Sequence, residues 1–477
     1  MSLLVRHDPL VLSVAPAKRA RSRSTPFAFA LVLLAACGDG VYTTRGLPST
    51  GGPGDGNTCD ANQVLCADDP TRTCRQETDA RCGSSCDPCP DGPSGTQKVC
   101  NLGRAPDGHG QCGYACADGF FACATGCCGT TAVAAGGDSS YAIVSDGTVH
   151  AWGANGSGQL GDGSTIDRKA PVLVKLAAGA AASGIAAGPT HACAIVGGGA
   201  VRCWGSNTSG EVTGAATSGA ISTPTVTPVT ANAVAVAAGG AHTCAVLDTG
   251  AVTCWGAAAQ TAGAASITGA TAIAAGAGHT CALVAGGAVK CWGANDAGQL
   301  GGTPANGVAT PIAAGIEKLA AYGDHTCAAT RNTNGDSKIV DGLRCWGAVL
   351  GASWQFATPF QPTPAIPMKD ASQSSIRKPV VSVATGRTQV CLFAELAPAC
   401  LGPENALGQL GGAAIVPEPS TVSAAGGATD LATGDDHACA ILPSGALRCW
   451  GDNSSGQLGD DTKITPDVGI LKAPKGT

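Results

Sequence analysis

Five times the sequence places a histidine two residues before a cysteine: His191/Cys193, His242/Cys244, His279/Cys281, His325/Cys327 and His437/Cys439. Imidazole and thiolate are common zinc ligands, and a thiol beside a base can act as a nucleophile. A second cysteine follows each pair, at Cys203, Cys254, Cys291, Cys345 and Cys449, so each set can also close as a disulfide. Recurrence decides between these chemistries. An active site needs one constellation, whereas five equivalent sets describe a structural device, with His bonded to backbone between units and Cys bonded to Cys. A sixth set keeps Cys391 and Cys400 but has Gln389 at the histidine position, which can hydrogen-bond but suits neither catalytic nor metal chemistry. No metal and no cofactor are expected.

These sets sit inside one sentence that the chain repeats. Ile185-Ala-Ala-Gly188-Pro-Thr-His191-Ala-Cys193 runs through Gly197-Gly-Gly199 to Cys203-Trp204-Gly205, and related stretches begin at Val133, Val236, Ile273, Leu319, Val383 and Leu431. Each copy alternates small or apolar residues with others on both sides of a short Gly-rich turn, the mark of a β-hairpin. A turn at Gly197–Gly199 puts Cys193 opposite Cys203, within reach of a disulfide. The same reading pairs Cys244 with Cys254, Cys281 with Cys291, Cys327 with Cys345, Cys391 with Cys400 and Cys439 with Cys449. In the first copy Tyr141 and Ala151 replace both partners together, which argues for pairing within a copy. Along the strand His, Cys and the following aliphatic residue share one face.

Residues 1–36 are read as an export leader: Lys18, Arg19, Arg21 and Arg23 precede a short apolar run from Phe27 to Ala36. That run is too short to span a bilayer but suits a signal peptide. It ends Leu34-Ala-Ala-Cys37, which resembles a bacterial lipobox, and the resemblance implies lipid attachment at Cys37. Residues 37–58 are Gly, Pro, Ser and Thr with few apolar residues, a flexible tether. Residues 59–131 form a separate cysteine-rich module, with twelve cysteines from Cys59 to Cys128 and few large apolar side chains, so it needs cross-links to hold a shape. Beyond Cys37, the 25 cysteines divide evenly into twelve here and twelve in the repeats, as disulfides in an oxidising compartment require. Loss of the leader takes five of 28 basic and one of 34 acidic residues, leaving a net charge of −10. That balance opposes nucleic-acid binding.

Residues 132–477 are the repeat array. After each Trp-Gly comes a Gly-rich loop, best preserved as Asn155-Gly-Ser-Gly-Gln-Leu-Gly161, Asn295 to Gly301, Asn405 to Gly411 and Asn453 to Gly459, and then a Pro-led extended stretch. The strand ahead of the hairpin, the hairpin and this stretch make four strands per unit of about fifty residues. Seven such units around an axis make an all-β, seven-bladed propeller, which removes long exposed sheet edges. The tail Ile464-Thr-Pro466 to Leu471 repeats the Pro-led stretch with no hairpin after it, while the first hairpin has none before it. The tail is therefore expected to complete the first blade.

Hairpins ending Cys-Trp-Gly, four copies of Gly-Gln-Leu-Gly and the Pro-led strand resemble the regulator of chromosome condensation repeat, and the resemblance likewise implies a seven-bladed propeller. Copies two, three and five depart from it by lacking Gly-Gln-Leu-Gly, and the third unit is short. One eukaryotic member is an exchange factor for a nuclear GTPase and binds chromatin, an activity that an exported acidic chain does not inherit. Other propellers of this repeat bind proteins on one rim.

The expected function is thus a lipid-anchored cell-envelope protein, monomeric and non-enzymatic, whose ring binds an envelope or extracellular protein, or a glycan. The alternatives are a propeller enzyme cleaving envelope or extracellular polysaccharide, and a structural adhesion component. Candidate binding residues are non-repeating ones: Arg331, Trp354, Phe356 and Arg377, with Glu211, Asp336, Lys338, Lys378 and Glu404 beside them. Of these, Trp354 and Phe356 are the expected aromatic anchors.

Overall fold

The second repeat shows how the sentence folds. Ala182–Ala187, His191–Val196, Ala200–Ser206 and Ala220–Val226 form one antiparallel sheet in that order. Gly197–Gly199 makes the hairpin turn, with Gly198 and Gly199 at positive φ, so the hairpin pairs Val196 with Ala200 and Cys193 with Cys203. The outer strand pairs Thr225 with Cys203. Its Pro224 sits on the sheet edge, where a missing N–H does no harm.

The computed structural model describes residues 117–123, 126–302, 308–312, 315–331, 340–348, 382–394, 397–412, 420–422, 425–466 and 472–475, with the strands at 63–65, 74–76, 96–101 and 111–116. From Thr130 onward the described residues form seven successive antiparallel sheets, of four, four, three, four, three, four and three strands. Their hairpins close around Tyr141, Cys193, Cys244, Cys281, Cys327, Cys391 and Cys439. The architecture is a β-propeller.

Each sheet packs its face on the next, and the core is a chain of layers between sheets. Trp204 of the second sheet packs with Ile143, Val149 and Leu160 of the first repeat. Trp152 of the first sheet packs with Ile441, Leu447 and Leu458 of the last, and this closes the ring. The first strands, such as Ala233-Val-Ala-Val-Ala-Ala238, are rich in small residues because they converge at the centre. At their ends backbone meets backbone: Ala277 N–H bonds to Gly323 O at 2.6 Å, and Asp435 N–H to Gly137 O at 2.8 Å. A Cβ on Gly188 would strike the carbonyl oxygen of Gly239 and the ring of His191, so only glycine fits there.

Two details revise the expected ring. The fourth strand of the first sheet is Arg168–Leu173, from its own repeat. The tail instead returns to the seventh sheet, where Lys472 exchanges two backbone hydrogen bonds with Cys449, at 2.7 and 2.8 Å. The Pro-led stretch therefore follows its hairpin as the outer strand of the same sheet, because the Gly-rich loop reverses the chain beside the Cys-Trp-Gly strand. No exchanged strand is needed for closure. The end of the cysteine-rich segment also joins this seam. Phe121 is fully buried, 4.8 Å from the His150 ring and 6.0 Å from that of Trp152.

Candidate functional site

In the structure the repeated His-x-Cys sets lie in the walls. The six cysteine pairs of the hairpins, Cys193–Cys203 through Cys439–Cys449, are disulfides. The five histidines are at most 3% exposed. Each turns its Nε2 toward a hydroxyl on the next sheet: His191 to Thr243 (2.9 Å), His242 to Thr280 (2.7 Å), His279 to Thr326 (2.7 Å), His325 to Thr385, and His437 to Ser140 (2.8 Å). The partner is thus a side-chain hydroxyl, where the sequence reading expected backbone. In three places the hydroxyl passes the bond on to backbone: Thr243 to Glu211 O, Ser140 to Gln457 O and Thr385 to Gln389 O. Gln389 keeps the link differently, donating from Nε2 to His437 O at 3.1 Å. The threonine between His and Cys in three copies was the overlooked signal: it receives the histidine of the preceding sheet.

Burial holds these imidazoles neutral. His191, His242, His325 and His437 are depressed to about 4 and His279 to about 3, chiefly by desolvation. A disulfide sulfur is neither a nucleophilic thiolate nor a zinc ligand, so the sets have no free chemistry.

The Gly-rich loops lock neighbouring sheets together. Asn155 Oδ1 accepts from Leu160 N–H at 2.9 Å, and Gln159 O accepts from Trp204 Nε1 at 2.6 Å on the next sheet. Trp152, Trp346 and Trp450 likewise donate to Gln457, Gln299 and Gln409. Copy two keeps the loop's internal bond in altered letters, which the sequence reading missed, although the Trp255 indole N–H of the next sheet has no partner among the described residues. Asn207 accepts from Val212 N–H, and Glu211 stands where glutamine would. Glu211 is consequently only 1% exposed, its carboxylate bonded to Ser206 and Ser209, so it is a structural residue and not part of a binding rim. Among the described residues Trp292, which follows the shortened third unit, likewise has no hydrogen-bond partner for its indole N–H.

Among the described residues, a group of unrepeated polar side chains lies at one end of the central channel. The first strands of all seven sheets line a cavity of about 340 Å³, walled mainly by alanine, glycine and valine. At the end where the Gly-rich loops also emerge, the turns before the hairpins differ between copies: Asp138, Pro189, Gly240, Ala277, Asp324, Arg387 and Asp435. Tyr322 reaches across the channel, its hydroxyl accepting from Gly137 N–H at 2.9 Å and donating to Asp435. Arg387 pairs with Asp436 and approaches Asp435 to 4.0 Å, and Thr388 donates to Asp436 at 2.8 Å. Burial, followed by repulsion from Asp435 and Asp452, raises the Asp138 carboxyl above its ordinary value. Burial and the Asp435 charge keep the Tyr322 phenol protonated well above its usual range. The result is an acidic, hydrogen-bonding mouth on a rigid ring, with Asp324 and Glu404 exposed beside it. Such a surface suits recognition, because its geometry is set before a partner arrives.

Cys37, Trp354, Phe356, Arg377, Lys378, Asp336 and Lys338 lie outside the described residues, and Arg331 ends the strand His325–Arg331. Cys123, Cys128 and Asp146 bring their ligand atoms within 4.8 Å of one another, but the two cysteines are joined as a disulfide, as are Cys116 and Cys127.

The model of the Regulator of chromosome condensation (RCC1) repeat matches residues 146–195, and a second model of the same repeat matches 131–159, 182–211, 233–258, 270–299 and 428–457. Among solved structures, human WBSCR16 is similar at 18% identity, covering 69% of this chain and 93% of that one, with a TM-score of 0.53. Yeast RCC1 (Prp20) bound to Kap60 is similar at 19% identity, over 73% of this chain and 75% of that one, with a TM-score of 0.41. Prp20p from Saccharomyces cerevisiae, described with its binding to Gsp1p and histones, is similar at 19% identity, over 72% and 77%, with a TM-score of 0.40.

Proposed function

We propose that this chain, a β-propeller of regulator of chromosome condensation repeats, is an exported, lipid-anchored scaffold that binds a protein at the loop end of its channel. One observation carries the reading. The repeated histidines and cysteines are used up between and within sheets, whereas a group of unrepeated polar residues surrounds Tyr322 and Asp435 at one mouth. Rigid display of unrepeated side chains favours binding over catalysis. The leader, Cys37 and the hairpin disulfides support a place in the cell envelope, outside the reducing cytosol. The acidic mouth favours a partner with a basic patch.

The test is a pull-down of the full oxidised chain against envelope and culture-medium proteins. One protein retained stoichiometrically, released by Asp324→Lys with Glu404→Lys but kept by Asp248→Lys in a hairpin turn at the opposite end, supports the reading. Retained polysaccharide recovered in shortened form would replace it with a hydrolase or lyase.

A further inference from the structure

The third sheet lacks something that its neighbours have. Its strands are Ala233–Ala238, His242–Leu247 and Val252–Gly256, with no fourth strand, although the connection from 257 to 269 is fully described. That connection forms the short helix Ala258–Thr261 and the turn Ala264–Ser266, and it buries Ala264 and Ile267 against the fourth sheet. It forms no backbone hydrogen bond with Val252–Gly256.

The exposed ladder can be read from strand geometry. Cys244 and Cys254 stand opposite each other with Cα atoms 4.1 Å apart, the close spacing of a non-hydrogen-bonded antiparallel pair. The N–H and C=O of Cys254 therefore point away from the hairpin, toward the outer edge. Where an outer strand is present, this position uses both groups, as Cys449 does with Lys472. Cys203 faces Thr225, Cys291 faces Ala309, Cys400 faces Ser420, and Ala151 of the first sheet faces Val172. For Cys254 no acceptor or donor is present among the described residues. Burial agrees: Cys254 is partly exposed, whereas the other eleven hairpin cysteines are at most 1% exposed.

An unpaired edge of this length is a template for another strand. We propose that Val252–Gly256 is a strand-addition site that takes an extended segment of a partner protein, antiparallel to it. The chain's own outer strands indicate which segment fits. In all five described cases the residue opposite the Cys position lies within two positions of a proline: Pro224, Pro311, Pro419, Pro474 and Pro171. The segment is therefore an extended one, with a proline within two positions of the residue that faces Cys254 and with β-branched residues nearby. This site lies at the sheet edge, separate from the loop end, and stands whether or not that end binds a protein.

The probe is a labelled peptide with the sequence of Ala220–Val226, titrated into the full oxidised chain and followed by anisotropy and by amide hydrogen exchange. In the free protein the Cys254 amide should exchange at least 100-fold faster than those of Cys203 and Cys291, and bound peptide should slow it. N-methylation of the peptide residue placed opposite Cys254 should weaken binding at least 10-fold, while Asp324→Lys leaves it unchanged. A Cys254 amide already as slow as Cys203 without peptide would mean that residues 257–269 cover the edge, and would overturn the proposal. So would absence of binding at millimolar peptide, or binding indifferent to N-methylation. Protection that grows with protein concentration alone would place a second copy on the edge and overturn the assignment to a partner.

Discussion

Acid should weaken this ring above the pH range in which most of its carboxylates titrate. Five inter-sheet histidines, together with His150, are held at about 4 or, for His279, about 3. In the unfolded chain each returns to roughly 6.5. Between these values the unfolded chain binds protons that the folded one refuses, so stability is full above pH ~6.5 and falls as pH drops toward ~4. Each histidine contributes a slope of about 1.4 kcal/mol per pH unit. Near pH 5 these six make an upper bound of about 8 kcal/mol per unit, comparable to the whole stability of an ordinary domain. Asp162, Asp167, Asp452 and Asp460, whose carboxyls are lowered, act only below pH ~4. Asp138 and Asp430, which are raised, oppose the loss over the lower part of the window. Denaturant unfolding of the full oxidised chain, followed by tryptophan fluorescence at pH 7.5, 6.5, 5.5 and 5.0, measures the slope. Six of the seven tryptophans close hairpins, so the signal reports the ring. His279→Gln, which copies the natural Gln389, should remove about one proton, or about 1.4 kcal/mol per unit. A slope below about 1.4 kcal/mol per unit between pH 6 and 5 in the unmutated chain would refute the account of the walls.

Three further outcomes follow from the packing. Replacing Cys281 and Cys291 together by alanine should lower stability by roughly 2–3 kcal/mol for a loop of this length, read as a shifted denaturant midpoint. Gly276→Ala, which drives a Cβ into the His279 ring and the Gly323 carbonyl, should destabilise by more than about 2 kcal/mol, whereas Gly302→Ala, which meets nothing within 4 Å among the described residues, should be nearly neutral. Trp204→Phe keeps most of the buried ring and removes the indole donor to Gln159 O, which retains the Tyr141 hydroxyl, so about 0.5–1.5 kcal/mol should be lost; at Trp292, whose N–H has no partner among the described residues, the same change should cost less.

The sequence alone was sufficient wherever the information is local and repeated. Hairpin register, cysteine pairing and the propeller follow from a ten-residue Cys spacing across a Gly turn and from recurrence of the unit, because antiparallel pairing is set by neighbours along the chain. The dismissal of His-x-Cys as chemistry also came from recurrence. Tertiary structure decided what joins one unit to the next. It revealed the threonine that receives the preceding histidine, and the carbonyl of Gln159 that takes the indole N–H of Trp204. It moved Glu211 from rim to wall, and it returned the tail to the seventh sheet rather than the first. Letters describe each unit in its own frame, whereas the His191–Thr243 and Trp204–Gln159 contacts join residues 52 and 45 positions apart, brought together only when sheet packs on sheet. The mouth around Tyr322 and Asp435 and the open edge at Cys254 belong to the same class. Each exists because of what stands, or fails to stand, on the neighbouring strand.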